Sequence, residues 1–140
     1  MKGYLLDTHA LIWWLIDDAS LNLEARAIIE DPGNEIFAST ASLWEIGIKF
    51  STGKMMVHPS VIAKGVAESG LILLNVKAPH AIAVADLPFF ADHRDPFDRL
   101  LVTQAQTEDL VLITNDPKII ANYDVQTLCC ETAPVSKPTF

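Results

Sequence analysis

The chain of 140 residues carries two cysteines, Cys129 and Cys130. They are adjacent, so they supply neither a disulfide framework nor the ligand spacing of a metal–thiolate site. Long apolar runs are also absent. The longest, Ala10 to Ile16, is enclosed by Asp7 and Asp17 and falls far short of the ~20 residues that a membrane span requires. The N-terminal segment holds one lysine and no cleavable apolar stretch, which predicts no signal peptide. No repeat, low-complexity tract or linker is visible. Basic residues are scarce: 10 Lys and Arg stand against 18 Asp and Glu, a net charge of −8. A simple nucleic-acid binder would be basic, because phosphate neutralisation supplies much of its affinity. Either the protein avoids polyanions, or some carboxylates bind cations, or a basic partner supplements it. These absences predict a soluble, cytoplasmic protein with no membrane partner.

What is present is one globular domain's worth of core. Half of the residues are hydrophobic and 20% are charged, with a mean hydropathy of +0.26, which excludes a disordered chain. This length buries a sizeable core without disulfides or a structural metal. The pattern predicts a single domain over residues 1–130 and a frayed tail over 131–140, which contains two prolines.

Short apolar runs alternate with helical stretches. Gly3 to Leu6 reads as a buried strand ending at Asp7, followed by a helix over His9 to Ile16. Asn22 is an N-cap for a second helix through Glu30, and Asp31-Pro32-Gly33-Asn34 ends it. Glu35 to Ala38 is a strand and Ser39 to Phe50 a helix, with Gly53 just past its end. A helix over Ser60 to Ser69 closes at Gly70, and a strand follows over Leu71 to Val76. Ala78 to Ala85 is helical and Leu87 to Asp95 a loop. Asp95-Pro96 opens a helix to Glu108, with proline at the first helical position. The strand Leu110 to Thr114, a helix over Lys118 to Asn122 and the strand Val125 to Leu128 complete the domain. The strands are continuous apolar runs, so the fold class is α/β with a mainly parallel sheet covered on both faces. Ligands of such sheets gather beyond the carboxyl ends of the strands.

Carboxylates lie at those positions. Asp7 and Asp116 each follow a strand, Asp98 lies in the first turn of the helix opened by Asp95, and Glu45 is embedded in the apolar stretch Ser42 to Ile48. Each has a structural reading. Glu45 completes a capping box with Ser42 or faces solvent. Asp95 is a natural N-cap. Asp98 suits the helix dipole, Asp116 before Pro117 suits a turn or a cap, and Asp7 suits a cap. Taken jointly, they suggest more. A parallel sheet brings Asp7 and Asp116 to one rim, where helices can bring Glu45 and Asp98 alongside. Clustered carboxylates raise one another's pKa, and a divalent cation removes that penalty. An all-oxygen ligand set suits Mg²⁺ or Mn²⁺ rather than Zn²⁺. Such sites commonly serve phosphoryl chemistry.

The stretch Leu5 to Trp14 resembles the opening of PIN-domain proteins, in particular the VapC-like toxins of bacterial toxin–antitoxin pairs. Ser42 to Ile46, His93 to Leu101 and Leu112 to Asp116 resemble three further motifs of that family, in order and at fitting separations, so that the likeness covers residues 2 to 129. The resemblance implies a three-layer α/β/α sandwich. It also implies an Mg²⁺- or Mn²⁺-dependent endoribonuclease that is held inactive by a cognate antitoxin and forms a homodimer. It places Asp7, Glu45, Asp98 and Asp116 as metal-binding and catalytic acids, with Thr8 and Thr114 as supporting hydroxyls and Asp95 beside the third acid. The implied reaction is in-line hydrolysis of an RNA phosphodiester, leaving a 5′-phosphate and a 3′-hydroxyl. Lys49, Lys54, Arg94 and Arg99 are candidate RNA contacts or ordinary solvated surface. His93 reads as a further substrate contact and His9 as a helix-face or interface residue. Trp13 and Trp14 read as core, with one of them available to a partner, and Phe89-Phe90 as a core cap or partner surface.

Three rivals fit less well. A receiver domain of a response regulator needs paired acids after the first strand and a lysine after a late strand; here Thr8 and His9 follow Asp7, and no lysine ends Leu110 to Thr114. A haloacid-dehalogenase-type phosphatase needs a second Asp where this chain has His9. A PIN-like binding module without nuclease activity has no need of four intact acids.

Overall fold

The computed structural model describes residues 2–132. Five strands form one all-parallel sheet: β1 (Gly3–Leu6), β2 (Glu35–Ser39), β3 (Ile72–Leu74), β4 (Val111–Thr114) and β5 (Thr127–Cys129), in the order β3-β2-β1-β4-β5. The connecting helices are α1 (Thr8–Leu15), α2 (Leu23–Glu30), α3 (Thr40–Ser51), α4 (Pro59–Glu68), α5 (Ala78–Ala83), α6 (Pro96–Glu108) and α7 (Pro117–Asn122). A 3₁₀ turn, Val84–Asp86, extends α5.

Alternation of side chains along the strands divides the core in two. Leu6 and Ile113 face a layer made with Ala10, Leu11, Ala25, Ile29, Ile46, Ile62 and Val66, from α1 to α4. Leu5 and Leu112 face the opposite layer, made with Leu101, Val102 and Ala105 of α6 and Ile119 of α7. This is the expected three-layer α/β/α sandwich. Trp13 and Trp14 are half-buried against the first layer. Among the described residues, no helix is long and apolar enough to cross a membrane.

The differences from the sequence reading lie at element ends, where side-chain caps decide. Ser39 is the last residue of β2 and the N-cap of α3, its hydroxyl accepting from Ala41 N at 3.0 Å, rather than the first helical residue. Likewise α1 starts at Thr8, because Asp7 caps it. Edge strand β3 stops at Leu74, and Val76 N donates instead to Thr40 Oγ1. Strand β5 starts at Thr127, paired with Leu112, after Val125 N has turned back onto Tyr123 O. Gly53 and Gly70 close α3 and α4 with φ of +75° each, a conformation that costs glycine little. Glu131 and Thr132 do not start a free tail: Glu131 bridges Leu21 and Thr132 N donates to Ser20 O. Residues 133–140 of the expected tail lie outside the described residues.

The chain runs from β1 to β3 toward one edge of the sheet and returns to lay β4 and β5 on the other side of β1. The strand order therefore reverses between β1 and β4. At such a switch point the connections leave in opposite directions and open a crevice above the carboxyl ends. Asp7 N donates to Ile113 O at 2.9 Å, which ties the end of β1 to β4 at this crevice.

Leu112 is fully buried in the layer that carries α6 and α7. Leu112→Ala is expected to destabilise the fold by about 2–5 kcal/mol, the cost of lost burial plus a cavity. Urea denaturation at constant m-value measures it.

Candidate metal centre

Helix starts bring three of the four acids to the crevice. Asp7 caps α1, accepting from Ala10 N at 2.8 Å. Asp116 caps α7, accepting from Lys118 N at 2.9 Å. Asp95 caps α6 through Phe97 N and Asp98 N, at 2.9 and 3.1 Å, and so sets Asp98 on the first turn. Each local reason is a carboxylate beside unpaired helical N–H groups.

Glu45 arrives differently. It lies inside α3, and its side chain is 9% exposed. Neither local reading of Glu45 holds: Ser39 rather than Ser42 caps the helix, and the carboxylate is turned inward. Thr8 Oγ1 donates to Glu45 Oε1 at 2.7 Å, and Lys49 Nζ lies 3.1 Å from Oε2. Thr8 Oγ1 also lies 3.0 Å from Ser42 Oγ. Thr114 reaches two of the acidic segments: its hydroxyl accepts from Asp116 N at 3.1 Å and also stabilises the Asp7 carboxylate.

Asp7, Thr8, His9, Glu45, Lys49, Asp95, Asp98, Asn115 and Asp116 line a cleft of about 270 Å³. Of the four candidate RNA-contact cations, Lys49 is the one in this lining. Lys54 is exposed past the end of α3, Arg94 Nε donates to Ala91 O, and Arg99 Nη1 donates to Pro88 O and Tyr123 Oη. His9 is exposed on α1, tilted against Trp13.

The electrostatics record the crowding. Burial pushes the Asp7 carboxyl above its ordinary value, opposed by hydrogen bonds from Thr114 and Ala10. Asp98 is pushed up to about 8, first by burial and then by Asp95, Asp7, Glu45 and Asp116. Like charges held together in a poorly solvated cleft disfavour ionisation. A divalent cation reverses that penalty, and the donor set of carboxylate oxygens suits Mg²⁺ or Mn²⁺. The residues present therefore fit such an ion.

One residue has more to do here than its sequence context suggests. His93, read from the sequence as a substrate contact, is buried behind the acids, with Nε2 3.4 Å from Asp98 Oδ2 and 3.3 Å from Asp116 Oδ2. His93, Asp98 and Asp116 each offer a ligand atom, all within 4.8 Å of one another. Its place in the Leu87–Asp95 loop carries no periodic signal; its position at the head of the His93 to Leu101 stretch is the signal that the sequence offers.

The model of the PIN domain family matches residues 4–125. The chain belongs to the PIN domain family. Among solved structures, VapBC2 from Rickettsia felis, bound to a DNA fragment from the promoter, has a TM-score of 0.66 at 15% identity over 91% of this chain and 98% of that one. DNA-bound VapBC from Salmonella typhimurium has a TM-score of 0.66 at 18% identity over 91% and 98%. VapBC-5 from Mycobacterium tuberculosis, of the VapBC family of toxin–antitoxin systems, has a TM-score of 0.61 at 18% identity over 94% and 100%. At these identities the likeness is one of fold. No curated protein matches the sequence.

The crowding makes stability depend on pH in an unusual direction. The unfolded chain releases the Asp98 proton near the ordinary value of 3.8, whereas the folded chain holds it up to about 8. Between these values the folded state binds more protons, so stability falls as pH rises. Metal-free protein is expected to melt at lower temperature at about pH 8 than at about pH 5. Asp98→Asn is expected to flatten that slope, as read by calorimetric melting in EDTA.

Proposed function

We propose that this PIN domain is an Mg²⁺- or Mn²⁺-dependent endoribonuclease of the VapC type, the toxin of a toxin–antitoxin pair. The observation that carries this reading is the convergence of Asp7, Glu45, Asp98 and Asp116 on one cleft, where burial and then the neighbouring acids push Asp98 up to about 8. Membership of the PIN family supports it, and so does the fold shared with VapBC complexes.

Asp7, Asp98 and Asp116 would hold the ion, with Glu45 as a further ligand or as the group that orients water. When bound, a divalent ion lowers the pKa of a water nucleophile and neutralises charge on the phosphoryl oxygens. The protein's own groups fix the geometry. The N–H of Ala10 aims Asp7 and that of Lys118 aims Asp116. Thr8 and Lys49 fix the two oxygens of Glu45. Lys49 is also the basic residue of the cleft lining, placed to meet a phosphodiester. Cleavage would leave a 5′-phosphate and a 3′-hydroxyl.

The same reading answers the charge question. A chain of net charge −8 draws RNA by a local cation site rather than by a basic face, and its acidity suits an antitoxin segment rich in basic residues. Exposed Trp44, T-stacked on Phe97 beside the acids, and exposed Phe89 offer such a partner aromatic anchors. We place the protein in the cytoplasm, as a homodimer when free of antitoxin.

Purified, antitoxin-free protein should cleave members of a panel of structured RNAs in Mg²⁺ or Mn²⁺ and not in EDTA. Asp7→Asn should lose at least about a hundredfold in rate, as expected when a catalytic electrostatic group is removed. Full metal-dependent cleavage by Asp7→Asn would refute the assignment. Metal binding without cleavage of any RNA would favour a binding module.

A further inference from the structure

His93 has no role in the reading above, yet it is the buried group aimed most directly at the acids. Its side chain is 4% exposed, and Nε2 is the one buried side-chain polar atom among the described residues with no hydrogen-bond partner. The turn that carries it is fixed at both sides. His93 N donates to Phe90 O at 3.1 Å, and Lys118 Nζ on α7 donates to Asp92 O at 2.8 Å. The ring packs edge-on against Tyr123, which packs edge-on against Phe90.

The hydrogen bonds of Tyr123 set the state of that ring. Arg99 Nη1 lies 3.1 Å from Tyr123 Oη, and a guanidinium can only donate. The phenol oxygen is therefore an acceptor toward Arg99. Its own proton needs an acceptor, and among the described residues the partner available is His93 Nδ1, at 2.8 Å. Nδ1 then accepts, so in the neutral ring Nε2 carries the hydrogen. That N–H faces Asp98 Oδ2 at 3.4 Å and Asp116 Oδ2 at 3.3 Å. The opposite tautomer would leave the phenol proton without a partner, which is unfavourable in a buried setting.

We infer that Arg99, Tyr123 and His93 form a relay that holds the Nε2–H of His93 between Asp98 and Asp116 and so positions these two acids from opposite helix starts. Asp98 belongs to α6 and Asp116 to α7. No hydrogen bond links the two carboxylates directly, and Nε2–H lies within 3.4 Å of an oxygen of each without a hydrogen bond to either, so it is the polar group set to offset the charge between them. His93 is thus a positioning residue rather than a metal ligand, and Arg99 acts on the site from within the protein rather than on RNA. This inference rests on the proposal that Asp98 and Asp116 hold a metal ion.

The test combines nitrogen-15 NMR of the His93 ring with Mn²⁺ titration calorimetry on the full chain. The metal-free wild type should show the Nε2–H tautomer, and Tyr123→Phe, which keeps the ring but removes the hydroxyl, should show a mixture. His93→Ala should weaken Mn²⁺ binding about tenfold, the range seen when a group orienting a metal ligand is lost. His93→Gln, whose amide N–H can occupy the place of Nε2–H, should recover most of that loss. An Nδ1–H tautomer in the metal-free wild type would overturn the relay. So would an Nε2 resonance that loses its proton and moves to a ligand shift when diamagnetic Mg²⁺ is added, because His93 would then bind the ion itself. Equal weakening in His93→Ala and His93→Gln would also overturn it, reducing His93 to packing. A wild type that binds no Mn²⁺ would sink the metal proposal, whereas the tautomer and its response to Tyr123→Phe would still decide the relay.

Discussion

Repulsion among carboxylates at the strand-order reversal is the constraint on which the rest of this structure depends. Four acids from four separate segments share a cleft of about 270 Å³ between β1 and β4. Left to themselves they disfavour ionisation, and both Asp7 and Asp98 are pushed up, burial being the first cause in each. A protein maintains such a cluster only by fixing each member from outside. The means here are helix N–H groups for Asp7 and Asp116, a threonine and a lysine for Glu45, and a buried histidine between Asp98 and Asp116.

Capping and ligation are often weighed as rival explanations for an acid at a helix start. They are compatible here. A cap occupies one oxygen of the carboxylate, as Asp7 Oδ1 does with Ala10 N, and does not by itself use the other. The cap also lowers the freedom of the side chain, which is what a preformed ion site requires. Asp95 shows the limiting case. Its Oδ1 accepts from two N–H groups of α6, and its main effect on the site is the added negative charge felt by Asp98.

Net acidity and the proposed RNA substrate are compatible because they act at different ranges. The −8 of the whole chain acts at long range and is screened by salt. The field at the cleft would be set by the proposed ion and by Lys49, which lies in the cleft lining. Arg99 illustrates that a basic residue near the acids can serve the protein itself: its Nη1 donates to Pro88 O and Tyr123 Oη.

The sequence by itself determined the order and type of the elements, the parallel sheet, and the sites of Asp7, Asp95, Asp98 and Asp116 at helix starts. These follow from local causes: apolar run length, caps, and proline and glycine at element ends. Element limits were less legible, as at Ser39 and Val76, where a side-chain hydroxyl competes with the ladder or the helix for the same N–H. Only the tertiary structure decided that Glu45 turns inward to Thr8, 37 residues away, and that His93 and Tyr123, 30 residues apart, meet behind the acids. Both contacts depend on packing between elements distant in sequence, and such partners leave no period and no cap to read. The inward turn of Glu45 is set by the position of α3 over the crevice, and the aim of His93 by a loop held from α7.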